Sequence, residues 1–141
     1  MSEKNYGLAW SEVYELGFER VDEQHRRLFE LVRNLVKACT EEYDTKILSE
    51  TLDFLLEYTA QHFKNEEDIM LLYDFPEYEQ HRQMHEDFKL VVYEKVREYM
   101  EKGSSEELSS RVNKIIVRWL INHIQREDKK IADYLRSMNV I

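Results

Sequence analysis

Four side chains of this chain are spaced so that they could surround a buried metal ion. His62 and Glu66 are four residues apart, and so are His81 and His85. Residues at positions i and i+4 of an α-helix lie on one face, about one turn apart. Two such pairs on successive antiparallel helices would converge between the helices. Imidazole nitrogens and carboxylate oxygens are suitable ligands there for a transition metal.

The other two histidines, His25 and His123, each fall on the apolar stripe of a further predicted helix. One histidine on an apolar face is usually an ordinary core residue, but all five histidines of the chain face inward here. Five imidazoles and a carboxylate are too many ligands for one tetrahedral zinc ion. They suit two metal ions of higher coordination number, whose mutual repulsion needs bridging anions. We expect Glu66 to be one bridge and the fourth helix to supply another.

Two acidic residues compete for the role of the second bridge. Glu127 lies four residues after His123, the spacing that favours it on a regular helix. However, Glu127 has Lys130 among its helical neighbours, whereas Asp128 lies in an apolar row. That row consists of Leu120, Ile124, Ile131 and Leu135. An ideal helix rotates Asp128 about 140° away from His123, and a local widening of the helix would reduce this angle. We favour Asp128, and the spacing leaves Glu127 as the alternative.

The composition and the apolar pattern indicate helices as the elements that position these residues. Three glycines and one proline leave little room for the turns of an all-β fold. The predicted second helix has its inward stripe at Leu48, Leu52, Leu55, Thr59, His62, Glu66 and Met70. The predicted third helix has its stripe at His81, Met84, His85, Phe88, Val91, Val92, Val96 and Tyr99. Steps of three and four residues are typical of helix bundles.

We therefore predict an all-α protein with an antiparallel up-down-up-down four-helix bundle as its single domain, over residues 21–141. Residues 1–20 form an N-terminal arm packed on the bundle. Asp22 is a suitable N-cap for the first helix, and Pro76 suits the start of the third. Gly103 fits the end of that helix, and Ser104 begins a capping box for the fourth.

Charge and composition also exclude several classes of function. The net charge of −9 argues against a nucleic-acid-binding surface. We expect no membrane span, because no run of about 18 apolar residues occurs. The N-terminal sequence MSEKNYGLAW lacks the apolar region of a signal peptide. Cys39 is the single cysteine, which suits a reducing compartment, so we expect a cytoplasmic protein.

The arrangement of these residues resembles the hemerythrins, which are four-helix bundles. The resemblance covers nearly the whole chain and includes the segments DEQH, HFxxEE and WLxxHI. The separation between His85 and His123 is more like that of bacterial members than that of worm oxygen carriers, and the chain most resembles the single-domain bacterial members. Seven positions carry the family's ligand pattern: His25, His62, Glu66, His81, His85, His123 and Asp128.

The resemblance implies a non-haem di-iron centre with two iron ions that cycle between the ferrous and ferric states. One iron would be bound by His81, His85 and His123. The other would be bound by His25 and His62. Glu66 and Asp128 would bridge both ions, together with an oxo or hydroxo bridge from solvent. In the family, dioxygen binds to the iron that has two histidines, because this iron has one fewer protein ligand.

Apolar residues within one turn of the predicted ligands would form an oxygen pocket. They are Leu28, Phe63, Trp119, Leu120 and Ile124. Ordinary core packing would also explain all of them. As a pocket lining, they would exclude water and slow the entry of protons. Leu120, one turn before His123, is the best candidate for the pocket wall.

The expected function is reversible dioxygen binding for storage or delivery, without catalytic residues. Its partners would be dioxygen and either an oxygen-consuming enzyme or a signalling protein. One alternative is sensing of oxygen, redox state or nitric oxide, and another is a di-iron enzyme of peroxidase or oxidase type. Ferritin-like enzymes are disfavoured because no glutamate precedes a histidine by three residues. The HExxH motif of zinc peptidases is also absent from the sequence.

Overall fold

The computed structural model describes residues 10–38, 45–102 and 106–141, which form the predicted four-helix bundle. The first three helices are α1 (Glu19–Lys37), α2 (Thr45–Leu72) and α3 (Tyr78–Lys102). The fourth helix of the bundle consists of α4 (Glu106–Asn122), a π-helical turn (His123–Asp128) and α5 (Lys129–Ser137). Each helix packs on its chain neighbour, and α1 also contacts α4. In these ranges no helix has the length and apolar character needed to span a membrane.

The predicted inward stripe of α2 is confirmed, since all seven of its side chains are buried. The stripe of α3 is confirmed at His81, His85, Phe88 and Val92, but the prediction for Val91 is wrong. Val91 is 36% exposed, whereas Val92 is only 1% exposed. Val92 follows Phe88 by four residues and continues its row into the core, so Val91 is turned towards solvent.

The described part of the N-terminal arm packs its aromatic rings on α1. A short 3-10 helix covers Glu12–Tyr14. The ring of Phe29 lies 5.2 Å from the ring of Trp10 and 4.8 Å from that of Tyr14. Residues 1–9 of the predicted arm lie outside the described residues.

The prediction that Asp22 caps α1 is wrong, because α1 begins at Glu19. Asp22 lies inside the first turn and is buried. Its carboxylate accepts hydrogen bonds from the backbone N–H groups of Leu16 at 2.8 Å and Gly17 at 3.2 Å. Gly17 has a φ of +86°, which turns the chain back over the helix start. Arg136 donates to the Leu16 carbonyl and so attaches this turn to α5.

A sharp helix end reverses the chain between α2 and α3. Asp74 has a φ of 54°, and its N–H donates to the carbonyl of Leu71 at 3.4 Å. The next N–H, of Phe75, donates to the carbonyl of Met70 at 2.8 Å. These two bonds form a Schellman motif, which is accompanied by packing of Phe75 against Met70. The reversal places the inward faces of α2 and α3 opposite each other.

Helix α3 begins at Tyr78, two residues later than the predicted start at Pro76, because Pro76 belongs to the preceding turn. The predicted helix end at Gly103 and the capping box starting at Ser104 lie outside the described residues. Cys39 also lies outside them.

Candidate metal centre

The structure brings the seven predicted site residues together in the middle of the bundle. Each side chain is at most 4% exposed. Helix α1 supplies one of them, α2 and α3 supply two each, and the π-helical turn supplies the last two. In chain order they are His25, His62, Glu66, His81, His85, His123 and Asp128.

The seven side chains form two overlapping groups that could each hold a metal ion. Within each group, one donor atom per residue lies within 4.8 Å of all the others. The first group comprises Glu66, His81, His85, His123 and Asp128. The second comprises His25, His62, Glu66 and Asp128. Both carboxylates are therefore common to the two groups, as bridging ligands must be.

The two oxygens of Asp128 face different groups. Its Oδ1 lies 2.9 Å from His123 Nε2 and 3.1 Å from His81 Nε2. Its Oδ2 lies 2.8 Å from His25 Nε2 and 3.7 Å from His62 Nε2. Oδ1 thus faces two of the three histidines in the first group, and Oδ2 faces both histidines in the second group. This is the orientation in which a carboxylate can bind two ions.

Glu66 divides its oxygens in the same way. Its Oε2 lies 3.3 Å from His81 Nε2, and its Oε1 is in close contact with His62 Nε2. His85 completes the first group, with its Nε2 3.2 Å from the Nε2 of His123. All five histidines therefore direct Nε2, rather than Nδ1, towards the centre.

The π-helical turn explains how His123 and Asp128 reach the same centre although they are five residues apart. Hydrogen bonds in a π-helix join residues i and i+5, so such residues lie about one turn apart. The local widening suggested by the sequence is present at this position. Glu127 is directed away from the core, where its side chain is 21% exposed and lies 3.2 Å from Lys130 Nζ.

Several buried nitrogen and oxygen atoms of the centre have no hydrogen-bond partner in the described part of the chain. They are His62 Nε2, His81 Nε2, Asp128 Oδ1 and both carboxylate oxygens of Glu66. These atoms lie close together and face a common centre. Burying such atoms without partners is costly. Metal ions bound to nitrogen and oxygen would remove this cost, so the residues fit a metal centre.

Two further residues, Gln24 and Glu67, contact Nδ1 of site histidines, the ring nitrogen that does not face the centre. The sequence did not predict these contacts. Gln24 Oε1 lies 2.7 Å from His62 Nδ1 and also accepts from Asn65 Nδ2 at 3.2 Å. Glu67 Oε2 lies 3.1 Å from His85 Nδ1. An acceptor at Nδ1 fixes the proton on that nitrogen and leaves Nε2 free for a metal. The only sequence signal was that Gln24 and Glu67 each adjoin a predicted ligand.

The two carboxylates raise the pKa values of two histidines of the centre, His62 and His81. Burial alone would lower the pKa of His62, but Glu66 and Asp128 outweigh burial and raise this pKa to about 9. Burial likewise opposes protonation of His81, yet Asp128 and Glu66 raise its pKa to about 10. Both imidazoles are therefore cationic at neutral pH in the metal-free protein.

Burial and neighbouring charges also shift the pKa values of Glu66, Asp128 and His85. Burial and the Asp128 carboxylate raise the pKa of Glu66, but the nearby imidazoles of His62 and His81 outweigh them and lower it to about 2. Burial also opposes ionisation of Asp128, but the neighbouring histidines hold its pKa well below the usual value. Burial lowers the pKa of His85 to about 3, so this imidazole is neutral.

Aromatic rings enclose one side of the centre. Phe63 stacks on His85 with centroids 3.8 Å apart, and Trp119 stacks on His123 at 4.2 Å. The residues predicted as an oxygen pocket all belong to the main hydrophobic core. Four of them, Leu28, Phe63, Leu120 and Ile124, are buried, and Trp119 is half-buried.

Comparison with known proteins gives the class of protein that this fold and centre represent. A sequence model of the hemerythrin HHE cation binding domain matches residues 16–135. A bacteriohemerythrin from Stenotrophomonas maltophilia (strain R551-3) is 30% identical over 131 residues, which cover 92% of this chain and 82% of that protein. A myohemerythrin from Theromyzon tessulatum is 30% identical over 121 residues, covering 86% and 88% of the two chains.

A similar fold is present in a crystal structure of a hemerythrin in which one leucine is replaced by tyrosine. The two structures have a TM-score of 0.73 at 24% sequence identity, over 86% of this chain and 91% of the other. The family match over residues 16–135 and the 30% identity with the bacteriohemerythrin identify the chain as a member of the hemerythrin family.

We predict that the metal-free protein becomes less stable as the pH rises from 7 to 10. His62 and His81 have pKa values of about 9 and 10 in the fold, above the ordinary value of 6.5. Their stabilising contribution is complete below about pH 6.5 and is lost as the pH passes through these raised values. The melting temperature of metal-free protein, measured across this range, should therefore fall.

The control is protein loaded with iron and freed of unbound iron before the pH is changed. Surface groups titrate alike in both samples, but bound metal replaces the protons on Nε2. The loaded protein should lose less stability over the same range. An equal fall in the two samples would show that the pH dependence arises outside the centre.

Proposed function

We propose that this chain binds dioxygen reversibly at a non-haem di-iron centre, for oxygen storage or delivery. The observation that carries the proposal is the sharing of Glu66 and Asp128 by two groups of ligands. In this assignment, His81, His85 and His123 would hold one iron. His25 and His62 would hold the other. Glu66 and Asp128 would be shared by both ions.

The number and type of donors favour iron over zinc at this centre. Five imidazole nitrogens and two carboxylates exceed the four ligands of a structural zinc site. Nitrogen and oxygen ligands in higher coordination suit iron. Membership of a family described as cation binding agrees with this assignment.

Dioxygen binding also requires an open coordination position and a dry environment. The His25 and His62 group has one histidine fewer than the other group, so an ion held there would have the open position. When bound, the iron pair would supply the electrons for reversible dioxygen binding. Leu120 and Phe63, which are 3% and 1% exposed, would exclude water and provide no proton to the oxygen species.

The polar content of the core supports oxygen carriage over proton-coupled enzyme chemistry. In the described part of the chain, only Asp22 and Thr59 are buried polar residues besides the seven candidate ligands. Asp22 is engaged by backbone N–H groups. Among the described residues, Thr59, one turn before His62, is therefore the single buried hydroxyl near the centre that could take part in a proton relay.

The proposal is tested by the optical spectrum of iron-loaded protein that is reduced without air and then exposed to it. Carriage predicts a new charge-transfer absorption in air that disappears when the oxygen is removed, over repeated cycles. A dry core makes this reversal possible because protons reach the centre slowly. Irreversible conversion to the ferric form in the first cycle would contradict carriage and favour an enzyme or a redox sensor.

Substitution of Asp128 tests the proposed second bridge. Asp128→Ala removes one carboxylate, so the repulsion of the two ions is less offset and the iron content should fall. Glu127→Ala is the matched control, because the Glu127 side chain is partly exposed and contacts Lys130. It should change stability by no more than about 0.5 kcal/mol and leave the iron content unchanged. Loss of iron in Glu127→Ala but not in Asp128→Ala would reverse the assignment.

Leu120 is predicted to limit the decay of the oxygenated protein. Leu120→Ala should cost about 2–5 kcal/mol of stability and open a path for water next to His123. The oxygenated form should then decay faster to the ferric form, with two irons per chain retained. Stopped-flow absorbance in air-saturated buffer measures this decay.

Leu52→Ala is the control for the loss of core packing. Leu52 is also buried, but it lies ten residues before His62 on α2, about 15 Å along the helix. Leu52→Ala should lower the free energy of unfolding by a similar amount without changing the decay rate of the oxygenated form. If the two variants decay at the same rate, Leu120 contributes only to core packing.

A further inference from the structure

We infer that Glu67 and Gln24 make the two iron positions electronically unequal, so that the three-histidine position loses an electron more readily. This inference rests on the proposed di-iron centre and assigns roles to two residues that do not touch the metal. Glu67 acts through His85, and Gln24 acts through His62. Both are positioning residues.

The Nδ1 nitrogens of the two groups of histidines have different partners. In the three-histidine group, His85 Nδ1 lies 3.1 Å from a carboxylate oxygen of Glu67. In the two-histidine group, His62 Nδ1 lies 2.7 Å from the amide oxygen of Gln24. The buried Nδ1 of the second member, His25, has no hydrogen-bond partner among residues 10–38, 45–102 and 106–141. Of these three Nδ1 atoms, only that of His85, in the three-histidine group, has an anionic partner.

The chemical consequence follows from the strength of the two acceptors. A carboxylate that accepts from an imidazole N–H forms a charge-assisted bond, which is stronger than a bond to a neutral amide. Such a carboxylate increases the basicity of the imidazole and therefore its donation to a metal. A stronger donor stabilises the ferric state more than the ferrous state. Glu67 therefore lowers the reduction potential of the position that His85 serves.

Gln24 is held in place as a neutral acceptor. Its Oε1 accepts from Asn65 Nδ2 at 3.2 Å as well as from His62. The two contacts fix the orientation of the amide, so its oxygen, not its NH₂ group, faces His62. This arrangement fixes the His62 tautomer without adding a negative charge. The position that is proposed to bind dioxygen therefore retains the higher potential.

The test is an anaerobic redox titration of iron-loaded protein, without dioxygen, followed by optical and electron paramagnetic resonance spectra. Each of the two steps removes one electron from one ferrous ion and transfers it to a ferricyanide-type oxidant. The wild type should show two separate steps, the first at the three-histidine position. Glu67→Gln should raise the potential of the first step. Gln24→Glu should lower that of the second, so each variant should bring the two steps closer together.

Glu86→Gln is the matched control for charge. Glu86 lies beside His85 in the sequence, but its side chain is 43% exposed and pairs with Lys89 at 3.1 Å. Glu86→Gln removes one negative charge, as Glu67→Gln does, but it removes no partner of an imidazole. It should leave the separation between the two steps unchanged. Restored separation in Glu67→Asp, relative to Glu67→Gln, would show that the carboxylate is the effective group.

Three outcomes would overturn the inference. One is an unresolved two-electron step in the wild type, and another is an unchanged separation in iron-replete Glu67→Gln. The third is an equal shift of both steps, which would indicate a general charge effect. If Glu67→Gln fails to fold, an unchanged separation in Gln24→Glu is decisive instead. The proposed function fails separately, if air exposure of the wild type gives no reversible spectrum.

Discussion

The structure depends on the convergence of seven polar side chains in a core that is largely apolar. Five Nε2 atoms and two carboxylates face one centre, and several of these atoms have no hydrogen-bond partner within the described ranges. In the metal-free state, protons held by His62 and His81 offset the charges of Glu66 and Asp128. Metal ions can replace those protons and satisfy the remaining lone pairs, so metal binding and folding stability are coupled.

Helix geometry determines which residues can reach this centre. On α2 and α3, ligands four residues apart share a face, and the Schellman turn at Asp74 sets the two faces opposite each other. The fourth helix instead needs a π-helical turn, because His123 and Asp128 are five residues apart. That turn directs Asp128 inward and Glu127 outward, where it meets Lys130. A regular helix would have given Glu127 the inward direction.

Much of the fold could be predicted from the sequence because helical periodicity is a local property. The buried stripe from Leu48 to Met70 shows this. The role of Asp22 could not be predicted, because it depends on a chain reversal at Gly17 that brings backbone N–H groups onto its carboxylate. Gln24 and Glu67 were missed for a similar reason. Each contacts a histidine on another helix, and the spacing of residues within one helix cannot predict such a contact.

The most direct test of the central claim is the metal content of protein reconstituted with ferrous iron in the absence of air. Two groups of ligands that share two carboxylates should retain two iron ions per chain after removal of unbound metal. Mössbauer spectroscopy of the same sample should show two coordination environments, because the groups contain three and two histidines. A single bound ion, or preferential binding of one tetrahedral zinc ion, would contradict the account.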